Sequence, residues 1–174
     1  MPRKIILPTD VSNRLENLTN LEEEVAGILF YRQIDEYCPI ESMFITGIGS
    51  ENSVQDKKER IEVANRFFRE NQGYRFVKFH THSKGTITKF GQYFANNFSS
   101  EDLVEIKKNM DLDKYFIAML VTPQVKILKG YDSPELFIGN YPEYADLNRE
   151  TLQKLDDIAN SLGYDLNTLS ARLK

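Results

Sequence analysis

The chain has 174 residues, of which 41% are hydrophobic and 28% are charged, and its formal net charge is −4. This length predicts one domain that can bury its own core, and the mildly acidic charge gives no reason to expect nucleic acid as the main partner. The single cysteine, Cys38, excludes an intramolecular disulfide framework and favours a reducing, cytoplasmic compartment.

Predicted strands and helices alternate along the first half of the chain. The strands are runs of apolar residues, whereas the helices carry apolar stripes at helical spacing, such as Val11, Leu15 and Leu18. In chain order we predict a strand at 5–7, a helix capped by Thr9 or Asp10, strands at 25–31 and 41–48, and a helix from Ser53 to a turn at 71–73.

The second half continues the mixture of strands and helices. We predict a strand at 74–82, a loop at 84–97, a helix from Ser99 to Met110, and strands at 115–121, 125–128 and 136–138. From Tyr141 the pattern is helical with a stop at Gly163, and one or two last turns follow at 166–173. Short links between such elements favour an α/β or α+β fold with a mixed sheet. No apolar run approaches the roughly 20 residues of a membrane span, and no signal peptide is recognisable, so we expect no membrane association.

His80 and His82 are the only histidines of the chain, and they are two residues apart. In an extended strand such residues point to the same face, so both imidazoles can reach one metal ion. A downstream carboxylate could supply a third ligand. Two histidines with one acidic residue are typical of a hydrolytic zinc site whose fourth position is open to water.

Each part of this pattern also has an ordinary structural explanation. The two histidines are compatible with surface or core positions that bind no metal. The Ser99-x-x-Asp102 spacing is also that of a helix N-cap with an acid in the first turn. Ser53 and Asp56 show the same spacing with no histidine near them. Only the ordered combination is specific.

Taken in order, the motifs resemble the signature of the JAMM (MPN+) family of zinc metalloproteases. That signature is a glutamate opening an E-x-x-G run with two hydrophobic residues, then H-x-H-P, then S-x-x-D. The matching blocks are Glu24-Val25-Ala26-Gly27-Ile28-Leu29, His80-Thr81-His82 and Ser99-Ser100-Glu101-Asp102. The predicted element order agrees with the family over residues 3–138.

The resemblance implies an α/β fold in which a mixed, mostly antiparallel sheet is flanked by helices. We expect one JAMM/MPN-like catalytic domain at 1–138. The remaining residues, 139–174, would form a C-terminal helical extension with an apolar stripe. This extension either packs on the domain or serves as an interaction surface, and the sequence leaves both roles open.

The chain departs from the family signature in two places. Ser83 follows the second histidine, where the family usually has proline, and Ser99 comes 17 positions after His82, where the family has nine. The loop is therefore longer by about eight residues, which costs little closure entropy. Its aromatic residues Phe90 and Phe94, with Tyr93 between them, could form a lid or a resting surface for substrate, but we favour their packing on the core.

By resemblance, His80, His82 and Asp102 hold Zn²⁺, Glu24 acts as general base, and Ser99 stabilises the oxyanion. The expected activity is hydrolysis of a peptide or isopeptide bond at the C-terminal tail of a ubiquitin-like or sulfur-carrier protein conjugate. Two alternatives stay open: a non-catalytic MPN-type interaction module, and a zinc hydrolase of a small-molecule amide. The sequence gives no oligomeric state.

Overall fold

The computed structural model describes residues 2–49, 54–139 and 147–163. In these residues one sheet contains seven strands: β1 (Lys4–Leu7), β2 (Val25–Arg32), β3 (Tyr37–Ile48), β4 (Tyr74–Thr81), β5 (Ile117–Val121), β6 (Lys126–Gly130) and β7 (Glu135–Ile138). The accompanying helices are α1 (Thr9–Leu18), α2 (Lys58–Glu70), α3 (Lys84–Phe90), α4 (Gln92–Ala95), α5 (Ser100–Leu112) and α6 (Leu147–Ser161).

The strands follow the order β6-β5-β4-β2-β3-β1-β7 across the sheet. Strand β2 pairs antiparallel with both β3 and β4, and β5 pairs antiparallel with β6. The pairs β1–β3, β1–β7 and β4–β5 are parallel. The mixed α/β fold with a sheet flanked by helices is therefore confirmed, with antiparallel and parallel strand pairs in the same sheet. Helical crossovers such as α3–α5, between β4 and β5, return the chain to the same end of the sheet and produce parallel pairs.

Alternation along the central strands divides their side chains between two apolar layers. Leu29 and Val77 face the layer that contains α1, whereas Phe30 faces the layer built with α2 and α6. In the second layer the ring of Phe67 meets Phe30 edge to face, with centroids 4.8 Å apart. Near α5 a smaller cluster joins Ile106 to Phe116 and Ala118. The sheet is thus a rigid platform with helices on both faces.

The predicted loop at 84–97 is wrong, because this stretch folds into α3 and α4. Both helices are too short to show a readable apolar period. The start of the second long helix also differs, since α2 begins at Lys58 and not at Ser53, which lies outside the described residues. The first helix has Pro8 at its N-cap position, so neither Thr9 nor Asp10 caps it.

The C-terminal helix α6 packs on the sheet through Leu155, Ile158 and Ala159, which are buried in the layer with α2. Gly163 follows the helix with a positive φ of 74°, as expected of a glycine that ends a helix. The last predicted turns, at Leu166 to Leu173, lie outside the described residues. Among the helices of the described ranges, none is both long and apolar enough to cross a membrane.

Candidate metal centre

Strand β4 places both histidines on one face of the sheet. His80 belongs to the strand and His82 follows it directly, with its backbone N–H donating to the carbonyl of Val121 at 2.9 Å. Thr81 points to the opposite side and accepts a hydrogen bond from the backbone N–H of Val25, also at 2.9 Å. The two imidazole rings lie with their centroids 5.2 Å apart. The period of two therefore pairs the rings as expected.

The first turn of α5 brings a carboxylate to the two rings. The backbone N–H of Asp102 donates to Ser99 Oγ at 3.1 Å, and Asp102 Oδ2 accepts from the backbone N–H of Ser99 at 2.8 Å. This reciprocal capping box is the ordinary explanation of the Ser-x-x-Asp spacing. It also fixes the direction of the carboxylate. Asp102 Oδ2 lies 3.3 Å from His80 Nε2 and 3.8 Å from His82 Nε2.

One ligand atom from each of His80, His82 and Asp102 lies within 4.8 Å of the others, so this group could hold a metal ion. The surroundings of His80 support that use. Its Nε2 atom is buried, and although Asp102 Oδ2 lies 3.3 Å away, the two atoms do not meet in hydrogen-bonding geometry, so Nε2 has no hydrogen-bond partner among the described residues. A buried imidazole nitrogen without a partner is costly in a native structure, and a metal ion would satisfy it.

The protonation states also suit a metal. Although burial raises the pKa of Asp102, the neighbouring His80 ring and the N–H and hydroxyl of Ser99 lower it to about 2, so the carboxyl is ionised. Burial lowers the pKa of His82, which favours the neutral imidazole. Ligands of these two types bind metals in their deprotonated forms.

Glu24 approaches the group from the residue before β2. Its side chain is buried, with the residue 5% exposed, and its Oε1 atom lies 4.0 Å from His82 Nε2. Burial first, and then the charge of Asp102, raise the pKa of Glu24 to about 8. The structure therefore places Glu24 beside the three candidate ligands but outside their group.

Crowding explains why the run after Glu24 has a glycine at position 27. A Cβ atom at this position would lie 2.5 Å from Cζ of Phe79 and 2.6 Å from the carbonyl oxygen of Phe44. Phe79 directly precedes the first histidine of β4 and is buried. The missing side chain thus lets β2 lie flat against the strand that carries the histidines.

Ser99 lies in the same cleft as the histidines and Glu24. Its Oγ atom accepts a hydrogen bond from the backbone N–H of Asp102, and the Ser99 hydroxyl still has its own proton to donate. All five residues predicted for the site therefore meet in one cleft.

The cleft also contains two polar residues that the sequence motifs did not assign to the site. Lys78 lies on the same strand face as the histidines and forms a 3.0 Å ion pair with Asp56. Asp56 in turn accepts a hydrogen bond from the hydroxyl of Thr46. The period of β4 placed Lys78 on this face, whereas Asp56 comes from the segment before α2, and no motif indicates its position.

The expected packing of the inserted aromatic residues on the core is wrong. Phe90 is 41%, Tyr93 88% and Phe94 43% exposed. Phe94 lines the cleft, and its ring is nearly parallel to that of His82, with an angle of 9° and centroids 6.2 Å apart. The neighbouring residue Ala95 is fully buried, and its backbone carbonyl lies 2.8 Å from His82 Nδ1. Sequence reasoning missed this contact, because every residue has a carbonyl and no side-chain pattern marks one.

Comparison with known proteins assigns no family to the chain. No family model matches it, and no curated protein matches it. Among solved structures it is similar to protein DSY2949 from Desulfitobacterium hafniense. The two share 19% sequence identity, the match covers 80% of this chain and 96% of that one, and the TM-score is 0.47. A likeness of this size carries no functional argument, so the function must be argued from the site.

Proposed function

We propose that the protein is a zinc-dependent amide hydrolase of the JAMM type, acting as a peptidase or isopeptidase. One observation carries this proposal. A group of three ligand atoms within 4.8 Å has a buried carboxylate beside it, 4.0 Å from His82 Nε2, in one cleft. A structural zinc site is closed by four protein ligands, whereas a catalytic one has three and keeps the fourth position open.

The nature of the ligands supports zinc as the metal. His80, His82 and Asp102 offer two imidazole nitrogens and one carboxylate oxygen. This set suits zinc and some other transition metals, and it is unlike the all-oxygen sets that magnesium and calcium prefer. When bound, zinc would polarise a substrate carbonyl and lower the pKa of a water molecule.

The remaining steps belong to residues of the chain. The carboxylate of Glu24 would accept the proton of the attacking water and deliver it to the leaving amine. Its buried position, with the pKa raised to about 8, suits a group that takes and releases a proton near neutral pH. The hydroxyl of Ser99 would donate a hydrogen bond to the developing oxyanion, a contact whose loss typically costs on the order of 10²–10³ in rate.

For the substrate we propose the C-terminal tail of a ubiquitin-like or sulfur-carrier protein conjugate, as the resemblance to the JAMM family implies. Such a tail would bind in extended form. The fully buried thiol of Cys38, with its pKa raised by burial to about 11, is compatible with the reducing cytoplasm that we propose as the location. The alternatives are hydrolysis of a small-molecule amide and a non-catalytic interaction module.

Hydrolysis assays on the zinc-loaded protein test this function. Ubiquitin-like conjugates and small amides are offered in parallel to the parent, to Glu24→Gln and to Glu22→Gln. Glu22 is exposed and two residues from Glu24, so it provides a matched control. We expect Glu24→Gln to retain zinc and lose turnover, and Glu22→Gln to behave as the parent. Full activity of Glu24→Gln would refute the general base. If the loaded parent cleaves no substrate, the interaction module is favoured.

A further inference from the structure

The segment 83–97 joins β4 to α5 and contains both departures from the JAMM signature, the serine at 83 and the additional residues. Its two ends are fastened to the metal centre. Ser83 is fully buried, and its Oγ donates to the backbone carbonyl of Glu22 at 2.8 Å while accepting the backbone N–H of Thr86 at 3.3 Å. Ser83 thus caps α3 and ties the end of β4 to the chain before Glu24. Proline has no hydroxyl for either contact.

At the other end of the segment, the carbonyl of Ala95 determines which ring nitrogen of His82 carries the proton. The oxygen lies 2.8 Å from His82 Nδ1, and Ala95 is fully buried. A carbonyl oxygen can only accept a hydrogen bond, so Nδ1 must carry the proton. In the neutral ring the lone pair is then on Nε2, the atom that lies 3.8 Å from Asp102 Oδ2. Outer partners of this kind set the tautomer and direction of metal-binding histidines.

The side chain of Asn96 holds this carbonyl in place. Its Oδ1 atom accepts a hydrogen bond from the hydroxyl of Thr122 at 2.9 Å, and its Nδ2 donates to Gln124 Oε1 at 2.5 Å. Both partners lie in the turn between β5 and β6. Asn96 therefore links α4 to the central sheet one residue after the carbonyl that meets His82.

From these contacts we infer that Asn96 is a positioning residue of the metal centre, and that the segment 83–97 supports His82 as a structural wall of the site. Through the contact of the Ala95 carbonyl with Nδ1, this wall leaves the lone pair of His82 on Nε2, where it can bind the metal. This inference rests on the metal site of the proposed function, but not on hydrolysis. A lid would instead have to leave the site when substrate enters, which would break the contact with His82.

Nitrogen-15 NMR of the histidine side chains tests the first step. The chain has only two histidines, so His82 can be assigned with a single His82→Gln spectrum. In the metal-free parent at about pH 8, where neutral imidazole dominates, we expect His82 to carry its proton on Nδ1. Asn96→Ala should shift it toward a mixture of tautomers. A proton on Nε2 in the parent, or an unchanged spectrum in Asn96→Ala, would overturn the inference.

Zinc affinity, measured by competition with a chromophoric chelator, tests the second step. We expect Asn96→Ala to bind zinc about 10–100-fold more weakly than the parent. Asn96→Asp should restore most of the affinity, because it keeps the oxygen that accepts from Thr122. Asn97→Ala is the matched control, since among the described residues the Asn97 side chain donates to the carbonyl of Tyr93, within the segment. Equal affinities of Asn96→Ala and Asn97→Ala would contradict the positioning role.

Urea unfolding of each variant checks that the fold is retained, and the tautomer of His82 reports on positioning even where stability changes. Neither readout needs a substrate. A protein that binds zinc but cleaves nothing would refute the proposed hydrolysis and leave this inference standing. A protein that cleaves conjugates but carries the His82 proton on Nε2 would support the proposed hydrolysis and overturn this inference.

Discussion

Replacing Glu24 by glutamine should stabilise the metal-free protein near and above neutral pH, and the gain should grow with pH. In the unfolded chain the carboxyl has its ordinary pKa of 4.5, whereas in the folded protein burial and Asp102 raise the pKa to about 8. The folded state therefore holds the proton more tightly. The contribution of Glu24 to the free energy of unfolding is therefore highest below pH 4.5, falls as the pH rises toward 8, and levels off above that value.

The size of this loss follows from the two pKa values. Each pKa unit corresponds to 1.36 kcal/mol, so the whole range corresponds to about 4–5 kcal/mol. Glutamine cannot ionise and escapes this loss, but its buried amide carries its own cost of about 1–3 kcal/mol if left unpaired. That cost does not depend on pH. The free energy of unfolding of Glu24→Gln, relative to that of the parent, should therefore rise by about 4 kcal/mol between pH 4.5 and pH 8.5.

The assay is urea unfolding in the presence of a chelator, at a series of pH values between about 4.5 and 8.5. Glu22→Gln serves as the control, and its curve should run parallel to that of the parent because Glu22 is exposed. Adding zinc should shrink the advantage of Glu24→Gln, since a nearby cation favours the ionised carboxylate. Parallel curves for Glu24→Gln and the parent across this range would refute the reasoning.

Three other substitutions test the framework of the fold and of the site. Gly27→Ala should lower the free energy of unfolding by about 1–3 kcal/mol, because the added Cβ would lie 2.5 Å from the Phe79 ring; an unchanged urea midpoint would contradict this crowding. Asp132→Asn should cost about 3 kcal/mol, because it leaves the buried guanidinium of Arg3 without its charged partner. Hydrogen bonds from Arg3 lower the pKa of Asp132 to about 2. The parent should therefore lose this stabilisation as the pH falls from about 4 to 2, whereas Asp132→Asn should not. Acid unfolding of the parent and the variant at the same pH would argue against the ion pair. Ser99→Ala should cost about 1 kcal/mol through loss of the cap, and it should weaken zinc binding, measured by chelator competition; a variant with the parent's zinc affinity would show that the cap does not orient the carboxylate.

The sequence predicted the parts of the fold that repeat a period. The apolar run of β2 and the alternation of β4 gave those strands to within a residue or two, and the period of two paired His80 with His82. Asp102 came from the order of the motifs, since neither propensity nor period relates a helix start to a distant strand. The carboxylate of Asp102 both completes the capping box of α5 and serves as the candidate metal ligand.

Contacts made by backbone groups and short helices could not be predicted in this way. Helix α4 has four residues, too few for a periodic signal. The carbonyl of Ala95 meets His82 because of where the chain turns, and its side chain gives no hint of this. Phe94 was expected in the core from its apolar character, yet it lies half-exposed against an imidazole. Tertiary context decided each of these cases.

Metal analysis of the purified protein tests the central claim most directly. The parent and a His80→Ala/His82→Ala double variant are loaded with zinc, freed of excess metal, and measured by elemental analysis beside a circular dichroism spectrum. The account predicts about one zinc ion per chain in the parent and none in the folded double variant. A parent that stays free of zinc, or a double variant that retains it, would contradict the proposed metal centre.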